Sequence, residues 1–281
     1  MSVIIKNNTL QVTINPLGAE LTHLIKNEYN YVWTVNPEFW NKTSPILFPI
    51  VGSLKNDCYY YKNKKYSLSR HGFARDFLFI VTSKTEESVT FLLKENAETL
   101  KKYPFNFTLE VCYTLINNKL SISYVVKNTG EESMPFSIGA HPAFALRFKL
   151  NDYTLLFEKD EVLYTHELEN NVFSDKISLF ETHDNKVTLQ ESLFENDALV
   201  FKNLQSKSIT LLEHNKPYLK MNFLDFEHFG IWKKSDAPFL CLEPWLGFAD
   251  HHDSNGNLLE KKGIQILESG AEFTAEFSIE V

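Results

Sequence analysis

The sequence predicts an all-β fold, a single large antiparallel β-sandwich over residues 1–281. Short runs in which apolar and polar residues alternate recur along the chain, as in half-buried strands. Aromatic residues, which favour strands, are abundant, with 23 Phe and 12 Tyr. Polar turn signals separate these runs, and no strands alternate with long helical segments as a parallel sheet would require.

The clearest strand pair covers residues 109–115 and 119–127, where every second residue is apolar. Asn117 and Asn118 lie between the two runs and predict a two-residue hairpin turn, because Asn tolerates a positive φ. Residues 273–279 alternate in the same way. Further strands are predicted at residues 10–14, 88–93, 153–157, 208–213, 218–223 and 239–243. Helix is predicted only at residues 95–103 and, as a single turn, at 175–180.

The overall charge and the cysteines exclude several classes of partner. The formal net charge is -8 and no basic cluster is present, so neither a nucleic acid nor an anionic membrane is a predicted partner. The three widely spaced cysteines indicate neither a disulfide framework nor a cysteine zinc site. No secretory leader pattern and no apolar run of about 18 residues is found, so a cytoplasmic location is expected.

Four segments interrupt the alternation with residues that a core strand would not favour. In RHGFARD (70–76), Arg70 and Arg75 lie close to His71 in sequence, and nearby cations favour the neutral imidazole. Gly72 permits a sharp turn at this point. A solvated histidine in a polar turn is the simpler alternative. The other three segments are PILFPIVGSLK (45–55), GAHPAF (139–144) and EPWLGFAD (243–250).

The last two of these segments offer an acid and a base. Pro142 biases His141 toward an extended backbone, and a partly desolvated imidazole with a pKa near neutrality suits a general acid. A hydrogen-bonded core histidine is the alternative. Glu243 ends an apolar run, where a carboxylate is costly unless it has partners or a chemical role. A structural carboxylate bonded to a loop is the alternative. Trp245 offers an aromatic face on which a pyranose can pack.

These segments, preceded by NPLGAEL (15–21) and taken in this order, resemble the aldose 1-epimerase (galactose mutarotase-like) family. The likeness covers nearly the whole chain and is greatest to a bacterial branch that is linked to sugar-catabolic genes. It implies a large antiparallel β-sandwich with a sugar-binding cleft. It also implies an isomerase that interconverts the α and β anomers of an aldohexose, with no metal and no cofactor.

The resemblance also implies roles for single residues. Glu243 matches the family's base, which removes the proton of the anomeric hydroxyl. His141 matches the acid, which protonates the ring oxygen as the C1–O5 bond opens. His71 matches a second histidine that hydrogen-bonds the sugar near the ring oxygen. Asp197, in LFENDALVF, is similar to an aspartate that binds ring hydroxyls, and Trp245 is expected to line the cleft.

One position departs from the family pattern. Related sequences often carry a sugar-binding arginine where this chain has Ser53. Arg70, Arg75 or Lys55 is expected to supply the charge, unless the ligand itself differs.

Two alternative functions use the same fold. A non-catalytic carbohydrate-binding protein would keep Trp245 and the cleft but would not need both Glu243 and His141. A hexose-6-phosphate mutarotase would need several cations around the phosphate, and Arg70, Arg75 and Lys55 are candidates.

A third alternative is a metal enzyme with two histidines and one carboxylate as ligands. The residue types are present, but no close sequence spacing supports the site. The sequence His251-His252-Asp253 is interpreted as part of a solvated loop. The sequence gives no indication of the oligomeric state.

Overall fold

The computed structural model describes residues 1–281 and consists mainly of β-strands. The strands are, in chain order, β1 Val3–Lys6, β2 Gln11–Asn15, β3 Glu20–Lys26, β4 Tyr29–Asn30, β5 Ile46–Leu47, β6 Cys58–Tyr61, β7 Lys64–Ser67, β8 Ile80–Lys84, β9 Ser88–Lys94, β10 Phe107–Ile116, β11 Lys119–Asn128, β12 Met134–Phe136, β13 Ile138–Ala140, β14 Ala143–Ala145, β15 Tyr153–Phe157, β16 Leu163–Glu169, β17 Val172–Phe180, β18 Lys186–Thr188, β19 Leu199–Phe201, β20 Ser208–Glu213, β21 Lys216–Asn222, β22 His228–Trp232, β23 Phe239–Leu246, β24 Gln265–Leu267 and β25 Glu272–Glu280. The helical segments are the α-helix α1 Ala97–Lys102 and the 3₁₀ turns Lys55–Asp57, Ala74–Asp76, Leu150–Asp152, Glu191–Phe194 and Leu258–Glu260.

Two large sheets form the body of the molecule. One has nine strands in the order β18-β15-β20-β21-β25-β11-β10-β9-β8. The other has the order β19-β22-β23-β13-β5, with β14 also paired to β23. Every ladder between strands is antiparallel. Apolar side chains from both sheets join one continuous core, which confirms the predicted all-β antiparallel sandwich. None of the helices has the length and apolar character needed to cross a bilayer.

The predicted hairpin forms the centre of the nine-stranded sheet. Asn117 adopts a φ of 56° at the turn, and Phe107 pairs with Asn128 at the far end of the ladder. Alternate side chains such as Leu109 and Tyr113 are buried, as expected for a strand with one face on the core. The predicted strands at 10–14, 88–93, 153–157, 208–213, 218–223, 239–243 and 273–279 are confirmed, with bounds that differ by a few residues.

The two helix predictions have opposite outcomes. Helix α1 falls within residues 95–103, and the Asn96 side chain accepts hydrogen bonds from the backbone N–H groups of Glu98 and Thr99 at its N-terminus. The predicted turn at 175–180 is wrong, because this segment belongs to β17 and pairs with β16. Ile177 and Leu179 alternate with polar residues there as in a strand, although both side chains are exposed.

Strand β23 positions the functional site, because it is buried along its whole length. Its even-numbered residues, such as Leu240 and Leu242, belong to the main core. Side chains two residues apart in a strand point to the same face. The opposite face of β23 therefore carries Phe239, Cys241, Glu243 and Trp245.

Candidate active site

His141 and Glu243 lie opposite each other in the antiparallel register. Strand β13 pairs Gly139 with Trp245, and β14 pairs Ala143 with Cys241. Continuing this register across the break between β13 and β14 places His141 opposite Glu243. Pro142, which has no N–H to donate, lies at the break. Two short strands on a common partner therefore bring together residues that are 102 positions apart in sequence.

The two side chains are in direct contact at the floor of a cavity. His141 Nε2 lies 3.3 Å from Glu243 Oε1, and both residues are buried. The other polar atoms of the pair, His141 Nδ1 and Glu243 Oε2, have no hydrogen-bond partner within the protein. Neither a hydrogen-bonded core histidine nor a loop-bonded structural carboxylate describes this arrangement. Buried polar atoms without partners are uncommon and indicate a functional role.

Burial acts on the two groups in opposite directions. Desolvation raises the pKa of Glu243 well above its usual range, and the Asp197 charge adds to this. The Arg70 charge opposes it, as does the Trp245 indole N–H, whose geometry falls short of a hydrogen bond. Desolvation and the Arg70 charge lower the pKa of His141 to about 3. Burial therefore favours the neutral form of both members of the pair.

Two tryptophans that the sequence analysis did not assign enclose His141. The Trp40 ring centroid lies 5.0 Å from that of His141, and the Trp232 centroid lies 5.7 Å from it. Trp40 comes from a loop, and Trp232 ends β22, which was not a predicted strand. The fourth tryptophan, Trp33, packs behind them against Phe239. Three of the four tryptophans of the chain, Trp40, Trp232 and Trp245, therefore line the cavity.

Trp245 lies flat across the sheet because two neighbouring positions carry no side chain. A Cβ atom at Gly230 would lie 2.5 Å from the Trp245 ring, and one at Gly139 would lie 2.7 Å from it. Trp245 is buried, and its Nε1 has no hydrogen-bond partner within the protein. The ring therefore supplies a wall of the cavity and one free donor.

His71 is held by a reciprocal pair of contacts with Gly52. The His71 backbone N–H donates to the Gly52 carbonyl at 2.8 Å, and the Gly52 N–H donates to His71 Nδ1 at 3.1 Å. His71 has a φ of 68° and Gly72 a φ of 71°, which confirms the sharp turn. The residue is buried, so the alternative of a solvated histidine is wrong. Burial is the largest cause that lowers the pKa of His71, followed by the charge of Arg70.

Both ring nitrogens of His71 face a hydrogen-bond donor. The Gly52 N–H donates to Nδ1 at 3.1 Å, and Arg70 Nε donates to Nε2 at 3.2 Å. A neutral imidazole has only one acceptor nitrogen, so the two contacts compete. Because the Gly52 donor belongs to the backbone, the contact with the Arg70 side chain is the one that a ligand oxygen can replace.

The remaining predicted residues lie on the same cavity, which has a volume of about 230 Å³. Arg70 Nη1 lies 3.8 Å from Asp197 Oδ2 and donates to Asn171 Oδ1 at 3.1 Å. Arg75 Nη2 donates to the Arg70 carbonyl at 2.7 Å and so supports the loop from beneath. The structure brings together all seven predicted site residues; the full lining is Trp40, Arg70, His71, Arg75, His141, Asp197, Ala198, Trp232, Glu243 and Trp245.

The three cations proposed to replace the family arginine at Ser53 have different positions. Arg70 and Arg75 line the cavity. Lys55 does not, since its Nζ donates to the Ser254 carbonyl at 3.3 Å. Ser53 is buried outside the cavity lining, and its carbonyl accepts from the Asp250 N–H.

The metal-enzyme alternative requires two histidines and one carboxylate as ligands, whereas the buried cluster at ligating separation has one histidine, one cysteine and one carboxylate. One donor atom each from His141, Cys241 and Glu243 falls within 4.8 Å of the others. A second such cluster, Asp175 with His251 and His252, lies at the surface. There His251 is only half-buried and is bonded to Asp253 at 2.7 Å, so it is less solvated than predicted.

Comparison with known proteins identifies the family. The sequence matches the family described as aldose 1-epimerase over residues 1–280. The chain belongs to the aldose 1-epimerase family. The predicted family, fold and enzyme class, an isomerase, are thereby confirmed.

Curated relatives and solved structures agree with this assignment. The chromosomal protein LacX of Lactococcus lactis subsp. lactis is 36% identical over 279 residues, which is 93% of each chain. A galactose mutarotase related enzyme from Lactobacillus acidophilus is 37% identical with a TM-score of 0.94, covering 100% of this chain and 97% of that one. A galactose mutarotase-like protein from Lactobacillus casei is 33% identical with a TM-score of 0.95, covering 100% and 99%.

Proposed function

We propose that this member of the aldose 1-epimerase family catalyses mutarotation of an aldohexose, with Glu243 as base and His141 as acid. The observation that carries the proposal is the buried contact of 3.3 Å between His141 Nε2 and Glu243 Oε1. Ring opening removes a proton from O1 and delivers one to O5, and both oxygens are attached to C1. A pair that holds one proton in a fixed geometry suits this exchange.

The chemical step balances within the pair and the sugar. Glu243, as carboxylate, accepts the proton of the O1 hydroxyl, and a lone pair of O1 forms the carbonyl bond to C1. The C1–O5 bond breaks, its electrons pass to O5, and the His141 imidazolium gives its proton to O5. Rotation about C1–C2 presents the other aldehyde face. Reclosure follows with both roles reversed, so the protein returns to its starting state.

The starting state requires two opposite charges side by side. Burial penalises each charge alone, but the charges attract by on the order of 5 kcal/mol at 3.3 Å and an effective dielectric constant of about 20. Proton transfer to the sugar converts this ion pair to two neutral groups, the form that burial favours.

The other residues are proposed to bind and orient the sugar. Arg70 Nε donates to His71 Nε2 at 3.2 Å, and a sugar oxygen that accepts from Arg70 in its place would leave His71 Nε2 able to donate as well. Asp197, which lies 3.8 Å from Arg70, is proposed to accept from ring hydroxyls. Trp40, Trp232 and Trp245 supply apolar walls for the C–H faces of a pyranose. The volume of about 230 Å³ is below the ~300–1,000 Å³ of drug-sized ligand sites and suits a single sugar ring.

A phosphorylated hexose is the second candidate substrate, because two guanidinium groups line so small a cavity. Arg70 has Asp197 as a distant partner at 3.8 Å, and Arg75 has Asp76 at 4.0 Å. Neither arginine is neutralised by a close bidentate pair, so both retain the capacity to bind phosphate oxygens.

Polarimetry tests the proposal directly. Fresh α-D-glucose and α-D-galactose, and separately a hexose 6-phosphate, are followed to equilibrium with and without protein. We expect acceleration over the spontaneous rate that Glu243→Gln abolishes and His141→Asn nearly abolishes. The matched control is Glu260→Gln, which changes a surface carboxylate remote from the pair.

The outcomes separate the candidates. Acceleration with free sugars alone identifies a neutral aldohexose as substrate, and acceleration confined to the phosphate ester identifies the second candidate. Binding of sugar without acceleration identifies a non-catalytic binding protein and overturns the proposal. Full activity in a folded Glu243→Gln variant would show that Glu243 is not the base.

A further inference from the structure

Cys241 is a third potential metal ligand that the proposed mechanism does not use. It lies two residues before Glu243 on β23, so its side chain points to the same face of the strand. Strand pairing places it opposite Ala143, two residues from His141. The cysteine is fully buried, and its thiol is free of any disulfide.

The three side chains bring one sulfur, one nitrogen and one oxygen donor within 4.8 Å of one another. Tetrahedral zinc with ligand bonds of about 2.0–2.3 Å places its donors roughly 3.3–3.8 Å apart. The His141–Glu243 separation of 3.3 Å already meets this spacing.

A second observation points to a ligand at this position. Glu243 Oε2, the second oxygen of the same carboxylate, is buried without a partner, and the Glu243 side chain is only 2% exposed. A bound cation would compensate the carboxylate charge. Thiolate, imidazole and carboxylate together suit Zn²⁺, whereas Mg²⁺ and Ca²⁺ require oxygen ligands.

We propose that Cys241, His141 and Glu243 form an inhibitory binding site for Zn²⁺ or a similar thiophilic divalent cation. Binding replaces the thiol proton of Cys241 by the metal and releases that proton to solvent. The cation occupies the same atoms that exchange protons with the sugar, so metal and sugar exclude each other. The inhibition rests on the proposed mutarotase activity, but the binding of metal does not.

The test measures metal binding separately from activity. The surface cluster of Asp175, His251 and His252 is first disabled by His252→Ala, so that it does not contribute. Co²⁺ is then titrated as a spectroscopic substitute for Zn²⁺, because a thiolate–cobalt bond gives an intense near-ultraviolet absorption. Zn²⁺ affinity is obtained by competition. The variants are Cys241→Ala, the size-conserving Cys241→Ser, and Cys58→Ala as a control at another buried cysteine.

We expect the thiolate–cobalt absorption in the His252→Ala background and with Cys58→Ala, and its loss with Cys241→Ala and Cys241→Ser. Zn²⁺ affinity should fall with Cys241→Ala by at least the ~10–100-fold that loss of a supporting outer-shell residue costs. Mutarotation should be inhibited by Zn²⁺, restored by EDTA, and unaffected by the same concentration of Mg²⁺.

Two results would overturn the site. One is the absence of a thiolate–cobalt signal in a protein that is folded and active. The other is equal Zn²⁺ affinity with and without Cys241. Metal binding in a protein that does not accelerate mutarotation would support the site and contradict the proposed function, so the two failures are distinguishable.

Discussion

The molecule contains two buried acid–base pairs that differ in how completely they are hydrogen-bonded. Lys261 Nζ lies 2.9 Å from Asp250 Oδ1 and also donates to the Phe248 carbonyl at 2.6 Å. Asp250 Oδ2 accepts from the Lys55 N–H at 2.9 Å. In the His141–Glu243 pair the contact is longer, at 3.3 Å, and one atom of each side chain has no partner.

Burial and cavity size do not separate these two pairs. Both are nearly inaccessible, and Asp250 and Lys261 line a cavity of about 190 Å³, close to the 230 Å³ at the candidate site. The pairs differ in how many of their donor and acceptor atoms have no hydrogen-bond partner within the protein. A satisfied buried pair is suited to hold loops together, whereas a pair with free donor and acceptor atoms can bind and react. This comparison makes opposite predictions for substitutions in the two pairs.

The largest expected effect is a loss of activity without a loss of stability. Glu243→Gln should lower the mutarotation rate by about 10²–10⁴-fold, since the amide cannot accept the O1 proton. Burial already disfavours the charge of Glu243, so the free energy of unfolding should change by less than about 1 kcal/mol. Polarimetry and urea denaturation of the same preparation measure both quantities. A variant destabilised by several kcal/mol would show that Glu243 has a structural role, as the Asp250–Lys261 pair has.

The converse is expected for Lys261→Met. Removing the ammonium leaves the Asp250 carboxylate buried without its cation, which costs about 3–5 kcal/mol of unfolding free energy. The turnover rate of the remaining folded enzyme should be nearly unchanged. Urea denaturation measures the loss, and the exposed neighbour, in Lys262→Met, is the matched control. Equal stability in both variants would contradict a structural role for this pair.

A smaller effect is expected for His71→Asn. The substitution removes the imidazole that contacts Arg70 Nε at the cavity and should raise KM about tenfold, as for one lost hydrogen bond of ~1.4 kcal/mol. The value of kcat should fall much less, because the acid and base remain. Steady-state kinetics give both constants, with His252→Asn as an exposed control. A kcat that falls as strongly as in Glu243→Gln would assign His71 to proton transfer instead.

The smallest effect concerns stability in mild acid. Burial lowers the pKa of His228 to about 4, against an ordinary value of 6.5. Between about pH 6.5 and 4 this histidine therefore binds more protons in the unfolded chain than in the folded one, so its contribution to stability falls as the pH falls. The contribution is at most ~1.4 kcal/mol per pH unit.

Urea denaturation at several pH values in this window measures the slope. His228→Gln should make the dependence shallower, because the glutamine takes up no proton in the unfolded chain. A slope identical to that of the wild type would show that burial of His228 does not exclude its protonation.

The sequence predicted the regular part of the fold better than the site. Alternation identified the hairpin of β10 and β11, because each of its strands has one face on the core. The segment 175–180 was misassigned because Ile177 and Leu179 are exposed and its pairing with β16 is not encoded locally. The family motifs identified His71, His141 and Glu243. The residues Trp40 and Trp232 were missed because neither lies in such a motif, and Cys241 was missed because its nearness to His141 depends on strand pairing.

Strand β23 pairs with two short strands, β13 and β14, and this arrangement affects how the residues around the cavity can diversify. The positions of His141 and Glu243 are determined by backbone ladders, whereas Arg70, His71 and Asp197 come from connecting segments. Loops accept substitutions and insertions that sheets do not. Selection on sugar preference can therefore act on the loops while the His141–Glu243 pair is inherited unchanged with the sheet. The loop residues around the cavity can therefore change while the reaction stays the same.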